Sequence, residues 1–309
     1  MKIEYKSAFL GIFVGVGILG SLFFFLEYFD TKLSMSSGKP DSSEEPGIQQ
    51  QETKTIMSYN IRYDNKWDKE NNWLLRRNRL CQLLKDYKPS IFGIQEGLVH
   101  QVAFIDSSLS KYEYIGVGRK DGKLKGEFCA IFYDTTRFET KKNSTFWLSE
   151  TPDVVSVGWD AALERICTYG LFIEKLSGEI FWVFNTHLDH IGEISRKKSS
   201  KLILEKIREN NIYSYPVILM GDFNLIPESE PIRLIKSQLD DALEISFTKW
   251  RGPIGTFNGF DIQHPLDKRI DYIFTTNYKI ISHRHIDDRL NNNSFISDHL
   301  PVMVELQIK

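Results

Sequence analysis

The chain has 309 residues, of which 41% are hydrophobic and 26% charged, as in ordinary globular proteins. Its net charge of −2 excludes a strongly basic protein, so the overall charge does not indicate tight nonspecific binding to nucleic acid. The three cysteines, Cys81, Cys129 and Cys167, lie far apart and argue against a zinc knuckle or a disulfide framework, so we interpret them as buried thiols.

The first predicted element is an apolar helix over residues 8–26, in which Ser21 is the one clearly polar side chain. A helix of this length is about 28 Å long, close to the hydrocarbon thickness of a bilayer. The alternative is a cleaved signal peptide, but its apolar core is normally shorter and no A-x-A-like site follows here. We therefore expect residues 1–30 to be an uncleaved signal anchor. Lys2 and Lys6 predict a single-pass protein whose catalytic part is extracytoplasmic.

Residues 31–53 are rich in Ser, Gly, Pro, Glu and Gln, which predicts a flexible linker. One domain is then expected over residues 54–309. Its first helix is predicted to place four leucines on one face, namely Leu75, Leu80, Leu83 and Leu84.

Further along the domain, short apolar strands alternate with amphipathic helices, and the turn LSGE at 176–179 predicts a hairpin. No repeat with the period of a solenoid or a propeller is present. Many strands with hairpin turns, together with several helices, predict two sheets packed together with helices outside.

Polar side chains recur where the predicted strands begin or end. They are Asn60, Glu96, His187, Asp222, Asn224, Asp271, Asp298 and His299. Each one alone is readily explained as a structural residue. Together they form a set of carboxylates, amides and imidazoles that suits Mg²⁺ or Mn²⁺ and leaves histidine to handle protons. Phosphoryl chemistry needs a cation on the phosphate oxygens, a base for water and donors for developing charge.

Six short motifs carry a resemblance to a known family: MSYNIR, IQE, NTHLDH, GDFN, IDYIF and SDHLP, in this order. The domain resembles the endonuclease/exonuclease/phosphatase superfamily, whose members include deoxyribonucleases, abasic-site endonucleases, neutral sphingomyelinases and inositol polyphosphate 5-phosphatases. Stretches such as GEFCAIFYD and GWDAALERICT are most similar to the bacterial branch related to carbon catabolite repression type deadenylases. The resemblance implies an α+β (α/β) fold of two packed mixed β-sheets flanked by helices, a four-layer α-β-β-α sandwich.

The resemblance also implies a role for each polar residue at the strand ends. Glu96 is similar to the principal metal ligand of the family, with Asn60 and Asp298 beside it. His299 is similar to the catalytic histidine that contacts the scissile phosphate or activates water. Asp271 is similar to the carboxylate that orients that histidine. The implied cofactor is Mg²⁺ or Mn²⁺.

Three further residues take catalytic roles in the same resemblance. Asp222 is similar to the residue that positions or deprotonates the attacking water, and Asn224 to a donor to a phosphate oxygen. His187 is similar to a second histidine, which stabilises the transition state or protonates the leaving group. The pair Asp298 and His299 would then face a metal-bound phosphate, and the strand behind them would hold them in place.

The leading functional prediction is a Mg²⁺-dependent phosphodiesterase or nuclease, monomeric, that cleaves nucleic acid by in-line attack of water. The alternative is the same chemistry on a phospholipid head group, in the manner of a sphingomyelinase, or on a sugar or inositol phosphate. The predicted anchor would hold either enzyme at a membrane. An inactive scaffold is a third hypothesis, disfavoured because every core motif residue is present.

Some neighbouring residues allow more than one interpretation. The HxDH pattern of NTHLDH also occurs in metallo-β-lactamase-type hydrolases, but Asn185 stands where their first histidine is expected. Asp189 and His190 either contact the substrate or simply end the strand. The loop 118–128, rich in Lys and Arg, is either a solvated hairpin or a phosphate-recruiting loop. The histidines of HRH at 283–285 are expected on an exposed strand face.

Overall fold

The computed structural model describes residues 53–263 and 265–309. The predicted anchor, and all but the last residue of the predicted linker, lie outside these residues. Among the described residues, no helix has both the length and the apolar character needed to cross a membrane. This finding contradicts the predicted single-pass, extracytoplasmic localisation, which we withdraw.

Short strands make up most of the described part of the chain. In chain order they are β1 (Lys54–Asn60), β2 (Ile91–Gln95), β3 (Tyr112–Ile115), β4 (Ile131–Asp134), β5 (Phe138–Trp147), β6 (Ile166–Glu174), β7 (Ile180–His187), β8 (Val217–Asp222), β9 (Asp240–Asp241), β10 (Asp271–Thr276), β11 (Tyr278–His285) and β12 (Val302–Ile308). The helices are α1 (Trp73–Tyr87), α2 (Val99–Ser108), α3 (Glu193–Asn210) and α4 (Glu230–Lys236), with a short 3-10 helix at Lys66–Asn71.

The strands form two mixed six-stranded sheets. The first has the order β11-β12-β1-β2-β4-β3 and the second β5-β6-β7-β8-β10-β9. The pairs β1–β2 and β7–β8 are parallel, and the other neighbours are antiparallel. The predicted hairpin is confirmed, because β6 and β7 pair directly around the turn at 176–179.

Three apolar clusters separate four layers. One lies between the sheets and contains Ile56, Val183 and Ile218. A second packs α1 and α2 against the outer face of the first sheet, and a third packs α3 and α4 against the second sheet. Within β1, Ile56 faces the inner cluster while Met57 faces the outer one, as the two-residue period of a strand requires. The predicted sandwich of two mixed sheets between helices is confirmed.

Helix α1 buries a different stripe from the predicted one. Leu80, Leu83 and Leu84 are buried as expected, but Leu75 is 61% exposed. Arg76 is buried instead, and its guanidinium donates to the backbone oxygens of residues 61, 71 and 296. The helix is therefore fixed to the loops that follow β1 and precede β12.

The topology gathers strand ends at one edge of the sandwich. Parallel pairing sets His187 opposite Asp222 at the ends of β7 and β8. Antiparallel pairing sets Asp271, at the start of β10, opposite the same Asp222. Gly221 has φ +150°, and a Cβ there would collide with the backbone oxygen of Thr186, so a glycine allows β7 and β8 to approach closely before the site.

Candidate active site

The centre of the site is a buried pair formed by His299 and Asp271. His299 Nδ1 donates to Asp271 Oδ2 across 2.8 Å, and His299 Nε2 lies 3.7 Å from Asp222 Oδ2. The backbone N–H of Asp271 donates to Thr256 Oγ1, and the ring of Phe257 packs against the imidazole at 5.1 Å. The imidazole is therefore held in one orientation.

Asn60, at the end of β1, joins this centre to Glu96. Its Nδ2 lies 2.9 Å from Asp222 Oδ2 and 3.1 Å from Glu96 Oε1. Glu96 follows β2 with φ +66°, a left-handed conformation that is uncommon for a residue other than glycine. The backbone N–H of Tyr63 donates to Glu96 Oε2 at 3.1 Å. The turn at Glu96 thus brings its carboxylate beside the side chain of Asn60.

Asp298 reaches the same group of residues through Arg62. Arg62 Nη1 lies 3.4 Å from Asp298 Oδ2, and the same guanidinium bonds both oxygens of Asp68. The backbone N–H of Arg62 donates to Asn60 Oδ1 at 3.1 Å, and Ser297 Oγ donates to the backbone oxygen of Asn60 at 2.7 Å. The loop before β12 is therefore tied to the end of β1.

His187 and Asn224 lie on the other side of Asp222. Asn224 Nδ2 donates to His187 Nε2 at 3.1 Å and to the backbone oxygen of Leu188 at 3.0 Å. Asn224 adopts φ +49°, and its backbone N–H donates to Asp222 Oδ1 at 2.9 Å. All eight residues predicted from the sequence therefore lie together, linked directly or through Arg62.

The charges at this centre shift the pKa values of its members in a consistent way. Burial alone would lower the pKa of His299, but the carboxylates of Asp271, Asp222 and Asp298 raise it well above the usual range. Burial raises the pKa of Asp222 to about 7, and the charge of Asp271 adds to this shift. His299 is accordingly an imidazolium among carboxylates.

Two further pKa shifts distinguish the two sides of the site. Burial and the nearby charge of Glu96 raise the pKa of Asp298 to about 6, although His299 opposes this shift. On the other side, burial lowers the pKa of His187 well below its usual value, and the cations Arg165 and Arg119 lower it further. His187 is therefore neutral at physiological pH.

Two sets of oxygen-rich side chains lie within the site. Asp222, Asp271 and His299 offer ligand atoms that all lie within 4.8 Å of one another. Glu96, Asp298 and Asn60 form the set that the sequence predicted. In the first set His299 Nδ1 already bonds Asp271, which fits that set for proton transfer. The second set offers only oxygen atoms as ligands, which is the ligand type that Mg²⁺ and Mn²⁺ prefer.

Three arginines also lie near the site. The sequence analysis assigned no role to Arg62 or Arg165, and it offered a phosphate-recruiting role for the loop that contains Arg119. Arg62 bonds Asp298, and Arg165 lies between Asp189 Oδ2 at 3.2 Å and His190 Nδ1 at 2.9 Å. Arg119, from the loop 118–128, lines one cavity with Arg165 and His187. A signal for Arg165 did exist, because it stands just before the apolar run of β6 in the way the predicted site residues stand at other strand ends.

Two other interpretations are decided by the structure. Asn185 is buried and donates to the backbone oxygens of Ile94 and Ala130, which is a structural role between strands. The predicted exposed face for His283 and His285 is wrong, because both rings are buried and lie 5.1 Å apart. The three cysteines are buried and unpaired, as predicted.

The chain is similar to known proteins in sequence and in fold. A sequence model described as the Endonuclease/Exonuclease/phosphatase family matches residues 57–299. The mannosyl-6-phosphatase of Bacteroides thetaiotaomicron is 39% identical, with a TM-score of 0.78 over 82% of this chain and 99% of that one.

Two curated proteins are also similar. The uncharacterized protein L388 of Acanthamoeba polyphaga mimivirus is 28% identical over 75% of this chain and 91% of its own length. The tyrosyl-DNA phosphodiesterase 2 of Bos taurus is 25% identical over 63% of this chain, and the match spans 49% of that protein. The matches to the family model, the phosphatase and L388 each cover most of the described domain.

Proposed function

The chain belongs to the endonuclease/exonuclease/phosphatase family, and we propose that it is a divalent-metal-dependent hydrolase of phosphorylated sugars. Hydrolysis of phosphate esters follows from the family, whose members are phosphoester hydrolases. The observation that carries the proposal is the buried group in which the pair of His299 and Asp271 lies beside Asp222, and Asn60 joins Asp222 to Glu96.

The side chains of Glu96, Asp298 and Asn60 fit Mg²⁺ or Mn²⁺. All three offer oxygen ligands, which both ions prefer. The charge of Glu96 raises the pKa of Asp298, so the two carboxylates repel each other, and a bound cation would relieve that repulsion. When bound, such an ion would supply Lewis-acid neutralisation of the phosphoryl oxygens.

Asp222 orients and deprotonates the attacking water in this proposal. Asn60 Nδ2 and the N–H of Asn224 hold its two carboxylate oxygens, each at 2.9 Å, so the plane of the carboxylate is fixed. The water oxygen forms the new bond to phosphorus in line with the ester P–O bond that breaks. The proton of the water passes to Asp222, and the departing sugar oxygen takes up a proton from solvent.

The two histidines take different roles. His299, an imidazolium paired with Asp271, donates to the phosphoryl oxygens and stabilises their developing charge. His187 is neutral, because burial and two nearby arginines lower its pKa. It therefore acts as a hydrogen-bond donor and not as the acid that protonates the leaving group.

A sugar phosphate is favoured over nucleic acid for two reasons. The relative named as a mannosyl-6-phosphatase is 39% identical, whereas the tyrosyl-DNA phosphodiesterase is 25% identical. The net charge of −2 also fits a small substrate better than a long polyanion. A phosphodiesterase acting on nucleic acid remains the second candidate, supported by the tyrosyl-DNA phosphodiesterase match.

The test uses the full chain with Mg²⁺, with Mn²⁺ and with EDTA. The substrates are mannose 6-phosphate, an inositol phosphate, single-stranded DNA, poly(A) RNA and sphingomyelin, and phosphate release or chain cleavage is measured. We expect metal-dependent release of phosphate from the sugar phosphate and its loss in Glu96→Gln. Cleavage of the nucleic acids alone would select the second candidate, and equal rates in Mg²⁺ and EDTA would contradict both.

Thermal unfolding provides a measurement of metal binding that does not depend on activity. At a hundredfold excess over Kd, Mg²⁺ should increase the free energy of unfolding of the unaltered protein by roughly 3 kcal/mol. Its Tm should rise accordingly. Glu96→Gln and Asp298→Asn should remove this rise. Glu209→Gln, an exposed carboxylate on α3, is the matched control and should keep it.

A further inference from the structure

The end of β7 leads into a short turn that carries an exposed histidine beside the buried site. His190 follows His187 by three residues, and Asp189, just before it, is buried. Asn224 fixes the end of the strand, because its Nδ2 donates both to His187 Nε2 and to the backbone oxygen of Leu188. His190 therefore lies on a fixed part of the chain, at the boundary between the buried site and solvent.

A buried arginine holds the imidazole of His190. Arg165 donates from Nη2 to His190 Nδ1 at 2.9 Å and from Nε to Asp189 Oδ2 at 3.2 Å. Only 4% of the Arg165 side chain and 0% of the Asp189 side chain is exposed. Asp189 Oδ1 in turn accepts from the backbone N–H groups of Ile191 and Gly192. An exposed ring is thus fixed by a series of buried hydrogen bonds that begins in the backbone.

The arginine also decides which nitrogen of the neutral His190 ring carries the proton. A guanidinium group can only donate, so Nδ1 is the acceptor in this bond and the proton lies on Nε2. Among the residues that the structure describes, no side chain or backbone group forms a hydrogen bond with His190 Nε2. The imidazole therefore presents one oriented N–H donor that has no partner in the described part of the protein.

Arg165 also connects His190 to the catalytic residues. Arg165, Glu96 and His187 line the same small cavity. Besides burial, the nearby Arg165 and His190 are among the groups that lower the pKa of His187. A substrate that places its phosphoryl group among the buried catalytic residues leaves the rest of the molecule on the exposed side. His190 lies on that side.

We propose that His190 Nε2 donates a hydrogen bond to a hydroxyl oxygen of the sugar, so that the enzyme selects phosphorylated sugars over phosphate esters without hydroxyl groups. This inference rests on the proposed hydrolysis of sugar phosphates and names the residue that recognises the sugar. Arg165 and Asp189 are positioning residues here, since they act through His190 and do not contact the sugar. Of the pair that follows β7, His190 contacts the substrate and Asp189 supports it.

A purely structural role for His190 leaves its fixed orientation without a reason. The turn is already held without it, because Arg165 and Arg196 donate to the side chain and the backbone oxygen of Asp189. One hydrogen bond at the surface adds little stability, since water competes for both partners. A fixed tautomer is useful when its free N–H meets an acceptor, and the hydroxyl groups of a sugar offer several acceptor oxygens.

The test compares mannose 6-phosphate with phenyl phosphate, two monoesters that share the phosphoryl group but not the hydroxyl groups. His190→Ala should lower kcat/KM roughly tenfold for mannose 6-phosphate and less than about twofold for phenyl phosphate. The loss should lie mainly in KM, because the hydrogen bond is present in the bound substrate and in the transition state alike. His190→Gln should recover part of the loss, since its amide also carries an N–H donor.

His100→Ala is the matched control, because His100 is exposed and its ring is likewise held by a charged side chain, with Asp64 Oδ2 at 2.9 Å. It should leave both rates unchanged. Thermal unfolding checks that each variant folds like the unaltered protein. Equal losses for both esters in His190→Ala would overturn the proposal and leave His190 a structural role. An unchanged rate of His190→Ala on mannose 6-phosphate would also overturn it, while the proposed function would stand.

Calorimetric binding with Mg²⁺ present separates the inference from the proposed function if neither ester is hydrolysed. Mannose 6-phosphate should then bind the unaltered protein, and His190→Ala should weaken this binding by roughly tenfold or more while the binding of inorganic phosphate stays the same. That result would keep the recognition of the sugar and reject the hydrolysis. Absence of mannose 6-phosphate binding to the unaltered protein would overturn the inference.

Discussion

Strand β1 begins in one buried group of charges and ends in another. Lys54, its first residue, bonds Glu174 at 2.9 Å and Glu179 at 2.5 Å. Arg137 also bonds Glu174, at 2.7 Å, and the hydroxyl of Tyr278 donates to Glu179 at 2.8 Å. The seven residues of β1 place this group about 20 Å from the second one, which lies at the other end of the strand around Asn60.

The two groups affect their carboxylates in opposite ways. Burial alone would raise the pKa of Glu174, but hydrogen bonds from Ser177, Lys54 and Arg137 lower it overall. At the other end of the strand, burial raises the pKa of Asp222 to about 7, and the neighbouring Asp271 raises it further. The first group compensates its own charge. The second concentrates negative charge that a cation and a phosphoryl group would compensate.

The largest expected effect is on the rate at the catalytic end. Asp222→Asn and His299→Ala should each lower kcat by roughly 10²–10⁴-fold, because each removes a group that handles charge or protons in the transition state. The Tm of Asp222→Asn should stay the same or rise. Burial disfavours the ionised carboxylate of Asp222, and the amide that replaces it carries no charge. Steady-state kinetics and thermal unfolding are measured together.

Asp240→Asn is the matched control for these variants, because Asp240 is exposed and pairs with Lys309. Its rate and Tm should equal those of the unaltered protein. Near-normal catalysis by His299→Ala would contradict the assigned site. A large fall in the Tm of Asp222→Asn would mean that the two ends of β1 are both structural, which would break the comparison.

At the start of β1, where the charges are paired, we expect a loss of stability without a loss of activity. Lys54→Met leaves Glu174 and Glu179 buried with one cation fewer, so the free energy of unfolding should fall by about 3–5 kcal/mol. The kcat of the folded fraction should not change, because the cluster lies at the far end of the strand. Chemical denaturation and kinetics on the same sample measure both quantities.

Lys141→Met serves as the comparison, since Lys141 forms an exposed ion pair with Glu139 on β5. That change should leave the denaturation midpoint where it was. An equally small effect for Lys54→Met would show that the buried cluster contributes nothing to stability. A loss of kcat in folded Lys54→Met would show that the two ends of β1 are coupled.

The gathering of the candidate site residues at one end of β1 was predictable from the sequence because these residues follow a simple rule. Asn60, Glu96 and Asp222 each stand at the end of an apolar run, where a strand delivers a side chain to the edge of a sheet. The order of the motifs and their residue types then indicated the family, and the resemblance to the family implied a role for each residue. The partners of Arg62 and Arg165 were not predictable, because a long flexible side chain reaches groups that are distant in sequence.

The buried histidines show why a strand pattern alone can mislead. In β11 the pairing with β12 shifts between Ile280 and Ser282, which is a β-bulge. Before the bulge, Tyr278 and Ile280 face the core, and strict alternation would turn Ser282 inward next. The extra residue reverses the alternation, so His283 and His285 face inward. A bulge leaves no clear signal in sequence, and the prediction failed for that reason.

His283 and His285 are a third kind of buried ionisable group, because they stay neutral and have no charged partner. Their effect on stability is the smallest of those expected here. Burial lowers the pKa of His285 from 6.5 to about 4, and the pKa of His283 falls well below its usual value for the same reason. The unfolded chain therefore binds more protons between pH 6.5 and 4, and stability falls as the pH falls through that window. At pH 5 the loss from His285 is about 2 kcal/mol.

The variant His285→Asn isolates the contribution of His285 to the pH dependence of stability. The asparagine amide can donate to the backbone oxygen of Pro253, as His285 Nδ1 does now at 2.7 Å, but it does not titrate. The fall in Tm between pH 7.5 and pH 5 should therefore be smaller in His285→Asn than in the unaltered protein. His100→Asn, on the exposed end of α2, should keep the full fall.

Asp222 and Asp298 also titrate in this window, but they are common to all three proteins and cancel in the difference. Identical pH profiles for His285→Asn and the unaltered protein would mean that His285 takes up its proton while folded, and the contrast between paired and neutral burial would then fail.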